Sequence, residues 1–272
     1  MTLTDTHCHL YFNKFDDDRD EVIRRAAEAG VTKILVPGIT RETSLDSVKL
    51  ADAHPEVFAA IGIHPTDALT WTEDTPAYLR ELAQNPRVRA IGEIGLDYYW
   101  DAAPHDLQQD VLREQLKLAA ELELPVIVHL REKDDALYGP CAEDLLSLLG
   151  EWAASLRSGA HSLTSHPGVL HSFSGNAETA HKAVELGFML GVTGPVTFKN
   201  AEERRQVVAS IPLNRLLIET DAPFLAPHPK RGRRNEPAYV AYVAEKVAEI
   251  HTKTPAEIAD ITSQNAARLF SW

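Results

Sequence analysis

The amino-acid sequence predicts a (β/α)₈ barrel, and three observations carry that prediction. Eight apolar, strand-like runs alternate with helical patterns across 272 residues with no intervening linker, which suits one barrel domain over 1–272 better than two smaller units. The strand runs are near-continuous in apolar residues, as parallel strands covered on both faces require. Neither GxGxxG after the first strand nor GxxxxGKS/T occurs, so the usual glycine signatures of an open nucleotide-binding sheet are missing.

The first run, TDTHCHL over 4–10, reads as a strand; side chains alternate faces, so His7 and His9 share one side and Cys8 takes the other. DDDRDEVIRRAAEAG then reads as a helix, with acidic residues crowding its start, Val22, Ile23, Ala26 and Ala27 on one face and Gly30 at its end. VTKILVPGI is a compact β-branched strand, a helix is predicted over 43–53, and VFAAIGIHP is a third strand ending in His64. A helix over 75–84 precedes RAIGEIGLDYY, where Glu93 sits among Ile91, Gly92, Ile94 and Gly95. A carboxylate in such surroundings is costly unless paired or metal-bound. HDLQQDVLREQLKLAAELE is the strongest amphipathic helix, with Leu112, Leu116 and Ala119 on one face, and it runs into PVIVHLR, a fifth strand carrying His129.

From 132 to 167 the pattern is less regular: a helix is predicted over 141–156, while RSGAHSLTSHPG reads as an insertion or mobile loop. GVLHSFSG supplies a sixth strand with His171, NAETAHKAVELG a helix capped by Asn176, and FMLGVTG a seventh strand. AEERRQVVASI is a helix, RLLIETDAP an eighth strand with Asp221 at its exit, and two further helical patterns, EPAYVAYVAEKVAEI and PAEIADITSQNAARLF, close the molecule.

Charge and composition exclude some classes. Twenty-seven basic against 40 acidic residues leave a net charge of −13, which argues against broad nonspecific adhesion to nucleic acid or anionic membrane. Neither a membrane-spanning apolar run nor a secretory signal is visible, so a cytoplasmic protein with no membrane partner is the expectation. Cys8 and Cys141 lie far apart without CxxC spacing, so reduced thiols are expected and a zinc–cysteine site is not. No feature sets an oligomeric state, and a monomer is the default.

In such a barrel the C-terminal strand ends form one mouth, where residues distant in sequence converge. This chain places His7 and His9 at the first end, His64 at the third, Glu93 at the fourth, His129 at the fifth, His171 at the sixth and Asp221 at the eighth. Mixed imidazole and carboxylate donors suit Zn²⁺, Mn²⁺ or a similar ion such as Mg²⁺, and the set exceeds what one tetrahedral ion needs, so two divalent metal ions are inferred. Glu93, near the middle of the set, is the candidate bridge. Two ions about 3.5 to 4 Å apart lower the pKa of a shared water and clamp the attacking and leaving oxygens of a phosphoryl centre, which points to hydrolysis.

The motifs TDTHCHL, GIHP, GEIGLDYY, PVIVH, HSFSG, ETDAP and RGRRNEPAYV, in that order over nearly the whole chain, resemble the TatD-type metal-dependent deoxyribonucleases of the amidohydrolase-like barrels. The resemblance implies a first metal held by His7, His9, Glu93 and Asp221, and a second held by Glu93, His129 and His171. It implies Glu93 and Asp221 as the catalytic carboxylates, Asp221 taking the proton of the attacking water, and His64 facing the substrate phosphate or a further metal. It also implies phosphodiester cleavage of DNA, exonuclease-like on single strands or ends. Two departures from the family pattern bear on substrate preference: HLR stands where a serine usually follows the histidine, and the 132–167 stretch is longer than typical.

The basic segment HPKRGRRNEP follows Asp221 and is expected to overhang the mouth, with Arg231, Arg233 and Arg234, and Lys199 from VTFKN, holding a phosphate backbone. An acidic protein with one basic rim favours single-stranded or short oligonucleotides, with a shallow salt dependence. Tyr98, Tyr99 and Trp100 are candidates for base stacking, with ordinary packing as the alternative. Two rival readings stand beside the nuclease: a metal-dependent hydrolase of a small ester, amide or aminoacyl substrate, and a non-catalytic nucleic-acid-binding barrel. Cyclic amidases would favour a carbamylated lysine bridge, and no lysine ends the fourth or fifth strand.

Overall fold

The computed structural model describes residues 1–272. Eight parallel strands lie side by side in chain order: β1 Leu3–Asp5, β2 Val31–Pro37, β3 Val57–Ile61, β4 Val88–Asp97, β5 Val126–Arg131, β6 Gly168–Leu170, β7 Met189–Val192 and β8 Leu216–Ile218. The helices between and after them are α1 Arg19–Glu28, α2 Arg41–Ala53, α3 Thr75–Leu82, α4 His105–Leu122, α5 Pro140–Ser158, α6 Ala177–Glu185, α7 Glu202–Ser210, α8 Val240–His251 and α9 Pro255–Phe270. Each intervening helix returns the chain to the start of the next parallel strand, which keeps neighbours in sequence neighbours in space. The circle closes without a regular ladder: Thr6 N donates to Ile218 O at 3.3 Å, Asp221 N to His7 O at 2.8 Å and His9 N to Ala222 O at 2.7 Å. The predicted TIM-type barrel is the observed one.

Alternation along the strands divides the core. Leu35, Phe58, Ala60, Ala90, Ile127, Val169, Met189 and Leu217 form one buried cluster with Leu269 and Phe270 of α9, whereas Ile34, Val36, Val57, Ala59 and Ile61 join a larger cluster shared with the helices. Each fully buried large aliphatic contributes about 1.5 to 3 kcal/mol. The Trp272 ring lies 4.8 Å from both Phe58 and Phe270, packing against the N-terminal end of β3. The opposite, C-terminal pole stays open.

Three local expectations are corrected. The strand read over 4–10 ends at Asp5, and His7 and His9 lie beyond it, where the backbone bonds to β8 and the segment after it, Cys8 bridging to Ala222. Helix α2 starts two residues early, since Thr40 and Thr43 form a reciprocal capping box. Much of 132–167 is regular: α5 covers 19 residues, and in the segment after it His161 approaches Ala120 O at 2.9 Å through Nε2 and caps Leu163 N through Nδ1, so this segment is pinned to α4. No helix is long and apolar enough to cross a membrane.

Candidate metal centre

Glu93 reaches the mouth because β4 breaks register. The pairing of β4 with β5 shifts between Ile91 and Ile94, and Glu93 N donates instead to Gly38 O at 2.8 Å. Both glycines of GEIG serve this approach: a Cβ on Gly92 would sit 2.6 Å from Ile127 Cβ, and Gly95, at φ 142°, passes so close to His129 that a Cβ would lie 2.1 Å from its carbonyl oxygen. Asp221 lies in left-handed backbone at φ 56°. Asn235 Nδ2 holds the loop that carries it, donating to Thr220 O at 2.8 Å and to Phe224 O at 2.6 Å.

The two carboxylate oxygens of Glu93 divide the imidazoles between them. Oε2 lies 3.2 Å from His7 Nε2 and 3.6 Å from His9 Nε2. Oε1 lies 2.7 Å from His171 Nε2, 2.9 Å from His129 Nδ1 and 3.4 Å from His64 Nε2. Asp221 Oδ1 joins the first side, 3.4 Å from His9 Nε2 and 3.8 Å from His7 Nε2. Three overlapping donor groups result: His7, His9 and Asp221; His7, Glu93 and His171; and His64, Glu93 and His129. All seven mouth residues expected from the sequence come together.

Burial and mutual charge set their protonation. Burial pushes the Glu93 carboxyl up, but His171, His64, His7 and the His129 hydrogen bond together outweigh it and hold it well below the usual range. Asp221 is likewise lowered, burial being overcome by the His9 hydrogen bond and the charges of His7, His9 and His171. Burial, reinforced by the charge of His171, drives His7 down to about 4. His129 goes the other way, to about 9, because hydrogen bonds to Asp97 and Glu93 overcome its desolvation.

The donor set fits divalent cations. His7 Nε2 and His9 Nε2 lie 3.2 Å apart beside the Glu93 and Asp221 carboxylates, so nitrogen and oxygen ligand atoms cluster within the reach of one cation. Neutral imidazoles with anionic oxygens are the ligands that borderline and hard divalent ions share.

Three supporting carboxyls escaped the sequence reading. Asp97 Oδ2 accepts from His129 Nε2 at 2.9 Å, while its Oδ1 caps the amides of Tyr99 and Trp100 at 3.0 Å. Its position four residues after Glu93 on one strand was the available signal. Asp5 is fully buried and pushed up to about 8 by desolvation, with Thr220 Oγ1 donating to it at 2.6 Å. Glu219, raised to about 7 by burial, accepts from Ser172 N and, at 3.2 Å, from Thr6 Oγ1, so it ties the ends of β1, β6 and β8 together.

Above the donors opens a cleft of about 1000 Å³ whose walls include Phe12, Trp100, Arg131, Phe198, Arg204 and Phe224. The basic residues named from sequence lie outside its lining. Lys199, Arg231 and Arg233 are exposed, and Arg231 stands 4.2 Å over the ring of Phe198, a residue of the cleft wall. Arg234 does not serve as expected: it binds Asp18 with both terminal nitrogens at 2.7 Å and also donates to Lys14 O, so its guanidinium is satisfied inside the protein. Tyr98 is buried with its hydroxyl on Asp144 at 2.7 Å, which removes it as a stacking surface, while Trp100 remains 53% exposed at the cleft.

A parallel barrel whose open pole gathers buried imidazoles around a shared carboxylate has the architecture of a metal-dependent hydrolase. The chain matches the family described as TatD related DNase over residues 4–271, and it belongs to that family. It is 46% identical over 268 residues, 98% of each chain, to the protein from Bacillus subtilis named "Uncharacterized metal-dependent hydrolase YabD". To the "3'-5' ssDNA/RNA exonuclease TatD" of a Rahnella species it is 36% identical over 269 residues, 97% of this chain and 96% of that one. The crystal structure of YjjV, a TatD homologue from Escherichia coli, superposes with a TM-score of 0.87 at 33% identity, covering 99% of this chain and 98% of that chain.

Proposed function

We propose that this chain is a nuclease that hydrolyses phosphodiester bonds of DNA, exonuclease-like on single strands or ends, and that Glu93 with the mouth histidines and Asp221 would hold two divalent ions (Zn²⁺, Mn²⁺ or Mg²⁺). The observation that carries this reading is the division of the Glu93 oxygens, Oε2 toward His7 and His9 and Oε1 toward His129 and His171, beneath an open cleft. Divalent ions at such a site supply Lewis-acid chemistry, acidifying water and neutralising charge on a phosphoryl group.

His7, His9, Asp221 and Glu93 would hold one ion and Glu93, His129 and His171 the other. His64, 3.4 Å from Glu93 Oε1, faces the substrate phosphate or a further ion. Asp221, kept ionised by the surrounding imidazoles and with 14% of its side chain exposed to the cleft, accepts the proton of the attacking water. Lys199, Arg231 and Arg233 on the rim contact phosphates of the strand as it leaves the cleft, and Trp100 offers a base-stacking face. The relatives named as 3'-5' ssDNA/RNA exonucleases support a nucleic-acid substrate.

The test is cleavage of end-labelled single- and double-stranded DNA by metal-free protein reloaded separately with Mg²⁺, Mn²⁺ or Zn²⁺. Loss of label from single strands, with a shallow salt dependence of binding, is the expected result. Absence of cleavage with every ion, alongside turnover of ester or amide substrates, would replace this reading with the acyl one.

A further inference from the structure

The rim cations named from sequence leave one cation of the cleft wall unaccounted for, Arg204 in α7. It lines the cleft together with Ser172, Ser174, Phe198 and Leu225. Its guanidinium makes a single hydrogen bond within the protein, Nη1 donating to Phe173 O at 2.9 Å. The neighbouring Arg205 pairs with Glu202 at 2.9 Å and donates to Phe198 O at 2.7 Å. The other arginine of the cleft, Arg131, donates to Asp135 at 2.9 Å and lies 3.7 Å over the Tyr99 ring. Arg204 alone among these has no carboxylate, and burial with nothing to offset it pulls its pKa down.

A guanidinium presents five N–H donors in a fixed fork. Holding one in a partly dry wall with most of that fork unused is unfavourable unless an anion occupies it in the working state. The Ser174 hydroxyl on the same wall is a further donor.

We propose that Arg204, with Ser174 on the same wall, forms a phosphate-oxyanion subsite that binds a phosphate flanking the one being cleaved, and so selects substrates carrying more than one phosphate. The proposal rests on the nucleic-acid reading above. A strand bound this way is gripped on the α7 side of the cleft while its scissile linkage lies over Glu93, which favours oligonucleotides over isolated phosphodiesters.

The experiment compares the wild type with Arg204→Met and Arg204→Lys, all metal-loaded, on a single-stranded oligothymidylate and on bis(p-nitrophenyl) phosphate, which carries one phosphodiester only. For Arg204→Met the expected loss in kcat/KM is about tenfold or more greater on the oligonucleotide and resides in KM. The lysine variant should recover part of it, and the salt slope of oligonucleotide affinity should fall by about 0.7, the value of one single-strand phosphate contact. Equal losses on the two substrates would overturn the proposal by making Arg204 a support for the Phe173 loop, and unchanged KM with an unchanged slope would overturn it directly. If the wild type neither cleaves nor binds the oligonucleotide, the nuclease reading fails separately. The subsite is then judged by sulfate alone: thermal protection of the wild type that disappears in Arg204→Met supports it, and equal protection overturns it.

Discussion

Asp97 Oδ2 lies 2.9 Å from Nε2 of His129, while Glu93 Oε1 lies 2.9 Å from Nδ1 of the same ring. One imidazole is thus clamped between two carboxylates, which fixes its orientation and presents Nδ1 to the centre. A carboxylate behind a metal-binding histidine typically contributes 10- to 100-fold in metal affinity. Asp97→Asn is therefore expected to weaken metal binding by about that factor with the fold intact, read by metal content after dialysis and by circular dichroism. Unchanged affinity would reduce Asp97 to a cap for Tyr99 and Trp100.

The same clamp makes a prediction about protons. With its pKa raised to about 9, His129 carries a proton at pH 8 in the metal-free protein. A cation that uses its ring nitrogen must displace that proton, so loading releases about one proton at pH 8 and less as the pH rises past 9. Titration in weakly buffered solution with a pH indicator measures this. Loading without release at pH 8 would remove His129 from the ligand set.

Removing the shared carboxylate tests the bridge. Glu93→Ala is expected to abolish hydrolysis and lower bound metal, because Glu93 faces the imidazoles on both sides of the proposed centre. A near-normal rate and full metal content would show that the two sides do not depend on Glu93.

Adjacent arginines of the basic loop should separate cleanly. Arg233 is exposed, and Arg233→Ala should weaken oligonucleotide binding a few-fold while leaving the melting temperature in place. Arg234 joins the loop to Asp18 at the start of α1, and Arg234→Ala should destabilise the protein by about 1 kcal/mol. The reverse pattern in binding and melting would mean that the roles are exchanged.

The Asp18 pair also gives stability a pH dependence of known sign. The Arg234 hydrogen bond, with Arg25 adding to it, holds the Asp18 carboxyl down to about 2, below the unfolded value of about 3.9. The unfolded chain takes up the proton first, so the contribution is complete above pH 4 and is lost as the pH falls through 2. Asp18→Asn should flatten the acid arm of a stability profile between pH 4 and 2, measured by denaturant unfolding. An identical acid arm in the variant would show that the pair does not control it.

The strand ends were legible because chemistry and periodicity coincide there. His7, His9, His64, His171 and Asp221 follow apolar runs, Glu93 and His129 lie within theirs, and a closed barrel gathers the C-terminal parts of its strands at one pole. The supporting residues were less legible. Asp97 shares a strand with Glu93, but its partner is visible only once β5 brings His129 beside it, and the roles of Asp5 and Glu219 emerge only from their burial. The basic loop misled in part, since charge in a sequence carries no record of its counter-ion: Arg234 and Asp18 are 216 positions apart.

By itself the sequence determined the eightfold alternation, the parallel sheet and the identity of the donors at the mouth, because local periodicity and residue chemistry suffice for these. Only the tertiary structure decided which Glu93 oxygen faces which imidazole, which carboxylate stands behind His129 and which arginine is left without a partner in the cleft. Those are properties of distances between elements far apart in the chain, set by packing and by the register shift at Gly92 and Glu93, and no local pattern encodes them.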